Sequence, residues 1–130
     1  MSIGLVTQLQ TDYEDAIQKV TEALKTEGFG VLTKIDFKAT LKQKLDVDFR
    51  PYMVLGACNP SIAHRALTVS SDVGMLIPCN VTVAEIAPET IEVSIINPDA
   101  MLGVIDDAEI HAIAQEVKEM LTRVIEKLSN

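Results

Sequence analysis

The chain has 130 residues, an ordinary size for one domain (1–130), and 48% of them are apolar with aromatics at only 4%, so a single core built from Val, Ile, Leu, Ala and Met is expected. Its 11 basic and 19 acidic residues give a formal charge of −8, which repels polyanions and argues against nucleic acid or an anionic membrane as a partner. The opening MSIGLVTQLQTDYED has no basic lead and no long apolar run, no stretch approaches the roughly 20 apolar residues that span a bilayer, and two cysteines without a leader fit a reducing compartment, so a cytoplasmic location with free thiols is expected.

Ile3 to Leu9 reads as a short strand. Thr11 followed by Glu14 has the form of a capping box, and Tyr13, Ala16, Ile17, Val20, Ala23 and Leu24 then recur at helical spacing until Gly28. From Phe29 to Phe37 the residues Phe29, Val31, Thr33, Ile35 and Phe37 alternate, the period of a strand with one buried face. Lys38 to Leu45 reads as a short helix whose apolar content, Ala39, Leu41 and Leu45, is thin. It lies in the one locally basic stretch, Lys34 to Arg50, where a small anion would be welcome.

Tyr52 to Cys58 is a near-continuous apolar run, as an interior strand requires. Asn59-Pro60 then supplies a favoured N-cap and a favoured first helical residue for a helix to about Val69. Gly74 opens a long strand candidate, Met75 to Ile86, joined through a turn begun by Pro88 to Ile91–Ile96. Pro78 has no amide to donate and predicts an edge strand or a bulge. Asn97-Pro98-Asp99 repeats the cap signal, Gly103 closes that piece, and Ile110, Ile113, Ala114, Val117, Leu121, Val124, Ile125 and Leu128 form one stripe of a helix from about Asp107 to Leu128. These elements predict an α+β fold: a mainly antiparallel sheet with two long amphipathic helices packed on one face, plus short helices.

The segments YMVLGACNP (52–60, followed by Ala63 and Leu67) and GMLIPCNVTV (74–83) occur in the order and at the spacing of the domain-of-unknown-function 302 family, and TLKQKLDVDF (40–49) is similar to a third segment of it. The chain resembles that family over roughly residues 29 to 100, with Ile77 in place of a usual Leu and His64 outside the motif. The resemblance implies a small α+β fold with one sheet flanked by helices, often seen as a homodimer, and it implies no established activity.

Five residues are the candidates for ligand binding: Cys58, Asn59, Cys79, Asn80 and Lys42. Free cysteines in apolar strands are commonly small core residues, and Asn59 has a sufficient role as a cap. Asn80 sits against β propensity, so it must face solvent, satisfy a buried group or bind something. Alternation places it on the face opposite Val81 and Val83, where it would either clamp the Asn59-Pro60 turn or line a pocket. Cys58, Cys79 and His64 have the right types for zinc, but their spacing matches no common pattern. His64 and His111 read as surface residues. No serine-nucleophile, phosphate-loop or Cys-x-x-Cys pattern occurs, and the residues identify no catalytic group, metal or cofactor. The leading expectation is a homodimer that binds a small molecule or anion near the Cys-Asn strings and Lys42, a small anionic ligand being one candidate. The alternatives are thiol redox or sulfur handling on Cys58 or Cys79, and a protein-interaction module without a ligand.

Overall fold

A computed structural model of the chain describes residues 2–129. The order of elements is β1 (Gly4–Gln10), α1 (Tyr13–Lys25), β2 (Gly30–Asp36), α2 (Phe37–Leu45), β3 (Tyr52–Cys58), α3 (Pro60–Val69), a 3₁₀ helix (Ser71–Met75), β4 (Cys79–Ala87), β5 (Thr90–Ile96), α4 (Pro98–Leu102) and α5 (Ala108–Ser129). Short polar side chains start each α-helix by accepting the orphan N–H groups of its first turn. Asp12 accepts from Asp15 N at 2.8 Å, Asp36 from Ala39 N at 2.9 Å, Asn59 from Ile62 N at 3.3 Å and Asn97 from Asp99 N at 3.0 Å. Asp107 Oδ1 takes both Glu109 N at 2.9 Å and Ile110 N at 3.0 Å at the head of α5.

The five strands form one antiparallel sheet in the order β1-β5-β4-β3-β2. Cross-strand partners share a face, so Leu9 and Ile91, Val83 and Val93, Val81 and Ile95, and Leu55 and Val81 lie side by side on one surface. The long helices cover that surface with Ala16, Ile17, Val20, Ala23 and Leu24 of α1, and with Ile110, Ile113, Ala114, Val117, Leu121, Val124 and Leu128 of α5. The α+β fold with its antiparallel sheet is as the periodicity predicts.

Local expectations needed five corrections. The cap of α1 is Asp12, not a Thr11–Glu14 box, because the carboxylate reaches the Asp15 amide while the Thr11 hydroxyl donates to Asp15 Oδ2 at 2.6 Å. The alternation from Phe29 to Phe37 breaks at a bulge between Val31 and Thr33, which turns Thr33 and Ile35 to the face opposite Val31. Phe37 already belongs to α2. The strand predicted from Met75 begins only at Cys79, because residues through Met75 are wound into the 3₁₀ helix capped by Ser70, and Pro78 lacks an amide for the ladder. Nor is β4 an edge strand: it lies between β3 and β5, and its own irregularity falls at the far end, between Glu85 and Ala87.

The second face of the sheet carries neither long helix. Val6, Gln8, Gln10, Ile35 and Asn80 are exposed on it. At one corner of this face α2 and the chain after it touch Tyr52, whose ring lies 6.0 Å from that of Phe37 and 6.2 Å from that of Phe49. α2 buries none of its residues.

Candidate functional site

The pairing of β3 with β4 brings the two Cys-Asn strings together at one end of the sheet, with Ala57 opposite Cys79 and Gly56 opposite Asn80. A narrow cavity of about 30 Å³ opens there between the strand ends and the helices, walled by Phe29, Ala57, Ile62, Ala66, Val73, Met101, Ile113 and Val117 and bordered by Cys58, Asn59, Pro78 and Cys79. That volume holds roughly one water molecule. Its walls are apolar apart from Asn59, so the arrangement suits packing better than recognition of an anion.

Cys79 is 6% exposed, and burial pushes its thiol up to about 11, with the neighbouring Cys58 adding to the shift. Burial also raises the half-buried Cys58 thiol. The thiolate is the reactive form, so neither sulfur is activated. Alternation sets them apart as well: Cys79 shares the buried face with its partner Ala57, and Cys58, one residue further along β3, is turned to the other face.

Asn59 has a double structural task. Its side-chain oxygen caps α3, while its amide nitrogen donates to the Glu27 carbonyl at 3.3 Å and ties the exit of α1 to the entry of α3. Asn80 lies on the face opposite Val81 and Val83, as alternation predicts, but it is exposed and makes no side-chain hydrogen bond among the described residues. It clamps no turn and lines no part of the cavity, so the expectation that it does one or the other is corrected. An uncovered strand position leaves its amide to water, which is the least costly solution for such a group.

Lys42 is not brought to these residues. It sits on α2 and pairs with Asp46 at 3.1 Å and Asp48 at 3.3 Å, all three side chains being exposed. α2 starts where β2 ends, beside Met53, whereas Cys58 pairs with Gly30 at the opposite end of β3. Six residue steps at ~3.3 Å separate the two ends by roughly 20 Å. A single anion site using Lys42, Asn59 and Asn80 is therefore not formed. His64 and His111 are exposed, and among the described residues no three His, Cys, Asp or Glu side chains gather as metal ligands would. No helix is long and apolar enough to cross a membrane among the described residues.

The surface that the sequence pointed to least is the uncovered sheet face. By register it carries Val6, Gln8, Glu92, Ser94, Thr82, Ala84, Val54, Thr33 and Ile35, with Gly56 near one end closely overlain by Thr33 and Pro78. Glu92 is the only charged strand residue on it, in a chain that is 23% charged. Two-residue periodicity marks the outward set of each strand, but which set stays uncovered depends on where the helices pack.

The chain is similar to the uncharacterized conserved protein DUF302 from Bacillus stearothermophilus, whose crystal structure superposes with a TM-score of 0.89 at 27% identity and covers 98% of this chain and 99% of that one. No curated protein matches it. The model of the family described as domain of unknown function DUF302 matches residues 5–128, nearly the whole length, and the chain belongs to that family.

Proposed function

We propose that this chain is an interaction module that works as a homodimer, paired through the uncovered face of its sheet. The observation that carries this reading is the charge distribution. The strand residues of that face include Glu92 as their only charge, although the chain as a whole has a formal charge of −8. Depletion of charge is the compositional mark of an interface centre, and a neutral face lets two like-charged copies approach. Val6 at 54% exposed, Ile35 at 45% and Ile86 at 43% leave apolar surface in water along the same region. The ligand and thiol readings have less support, since the cavity holds about one water, Lys42 lies at the other end of β3 and burial suppresses both thiolates.

Sedimentation equilibrium across a range of concentrations tests the reading. The expected result is a reversible dimer for the unaltered chain, with Thr82→Lys or Val6→Lys, each made singly on the uncovered face, giving a monomer of unchanged circular dichroism. A monomer at every concentration, or a dimer indifferent to both substitutions, overturns it.

A further inference from the structure

We infer that residues 37–50, formed by α2 and the segment after it, are a clasp that grips the β4–β5 hairpin of a second copy; this rests on the homodimer reading above. The segment is poorly held by its own chain. α2 has nine residues and none is buried, too short and too bare to persist in isolation. Phe37 and Phe49 rest on Tyr52 and Asp36 caps α2 through Ala39 N, while the hydrogen bond from Lys38 Nζ to the Phe49 carbonyl at 3.0 Å lies within the segment itself. Leu45 is left 65% exposed, Val47 43% and Phe49 37%.

Charge identifies what it grips. Lys38, Lys42, Lys44 and Arg50 against Asp46 and Asp48 give the segment +2, which leaves −10 for the rest of a chain whose total is −8. The segment borders the uncovered face at the corner of β2 and β3, because Tyr52 belongs to that face. When two sheets pack face to face with their strands aligned, a two-fold axis in the interface plane runs either across or along the strands. An axis across the strands lays the segment over the end where Gly30, Cys58 and Asn80 lie, and the face carries no carboxylate there. An axis along the strands lays it over the other copy's β1 and β5, beside Glu89 in the hairpin turn and Glu92 on the face. The second arrangement pairs opposite charges. The pairs of Lys42 with Asp46 and Asp48 are exposed, so exchanging them for partner carboxylates costs little.

Area points the same way. Five strands at ~4.8 Å spacing and about 20 Å of length present a footprint of roughly 480 Å² in projection, small beside interfaces that bury about 800 Å² of accessible surface on each partner. The apolar side chains of the segment supply surface that the strands alone lack.

Sedimentation equilibrium at low and high salt on four proteins tests the clasp: the unaltered chain, Lys42→Glu/Lys44→Glu, Glu89→Lys/Glu92→Lys, and all four changes together. Each reversal is expected to weaken the dimer about tenfold or more at low salt, the combination to recover most of that loss, and the unaltered dimer to weaken as salt rises. Val47→Ser should weaken it at either salt concentration. Dimers whose affinity ignores both reversals and Val47→Ser overturn the clasp and leave the sheet-face reading standing, whereas an unaltered chain that never dimerises overturns both.

Discussion

Asn59 and Gly28 fit together at the junction of α1 and α3: the Asn59 amide nitrogen donates to the Glu27 carbonyl, and a Cβ placed on Gly28 would lie 2.9 Å from that nitrogen. Gly28 also has φ +83°, a backbone region that side chains with a Cβ adopt at a cost. Replacing Asn59 by Ala removes a cap and a cross-link together and should lower unfolding free energy by about 1–2 kcal/mol. Asn59→Ser, which keeps an acceptor for Ile62 N but not the donor, should fall between. Gly28→Ala should cost about 1 kcal/mol or more from its φ alone. Urea unfolding of the three variants provides the comparison, and an Asn59→Ala chain as stable as the original would contradict the cross-link.

Asn80 should behave oppositely despite its place in the matching string. It is exposed and has no side-chain partner, so Asn80→Ala should leave stability within about 0.5 kcal/mol. A loss above 1 kcal/mol in the same urea assay would mean that its amide is engaged in solution.

Cys79 gives the fold a dependence on alkaline pH. The native state favours its protonated thiol and holds it to about 11, against an ordinary value of 9.0. Its contribution is therefore fully present below the ordinary thiol range and is lost as pH rises through about 11, a loss on the order of 3 kcal/mol. Tyr13, whose buried hydroxyl has no partner among the described residues and is pushed up to about 12 chiefly by burial, with Asp36 and Glu14 adding, acts in the same direction at higher pH. Unfolding free energies at pH 8 and about pH 10.5 should fall more steeply for the unaltered chain than for Cys79→Ala. Matching slopes would show that Cys79 is not held protonated. In thiol labelling of the folded chain Cys58 should react first, with Cys79 waiting on unfolding.

The local signals in the sequence are those with local causes. The stripe from Ile110 to Leu128 became α5 because a 3.6-residue period can bury only as a helix, and Asp107 heads it because its carboxylate reaches the next turn without help from elsewhere in the chain. Asn80 took the predicted face because two-residue alternation holds along β4 from Cys79. The bulge in β2 defeated the same rule, since the extra residue at Leu32 arises from pairing with β3. The Thr11–Glu14 spacing pointed to Thr11 as the cap of α1, and the geometry of the turn chose the Asp12 carboxylate instead.

What the sequence by itself determined was the kind and approximate extent of most elements, the family, and the fact that Cys58 and Cys79 would be small residues of apolar strands. Only the tertiary structure decided that β4 lies inside the sheet, that Cys58 and Cys79 turn to opposite faces, that Lys42 ends up at the far end of β3, and that one face of the sheet stays uncovered. The reason is physical: periodicity and capping are written within a few residues, whereas strand order and the covered face are chosen by which distant side chains bury the most apolar surface together. The two Cys-Asn strings lie about 20 residues apart in the chain and meet only because β3 and β4 pair in one register.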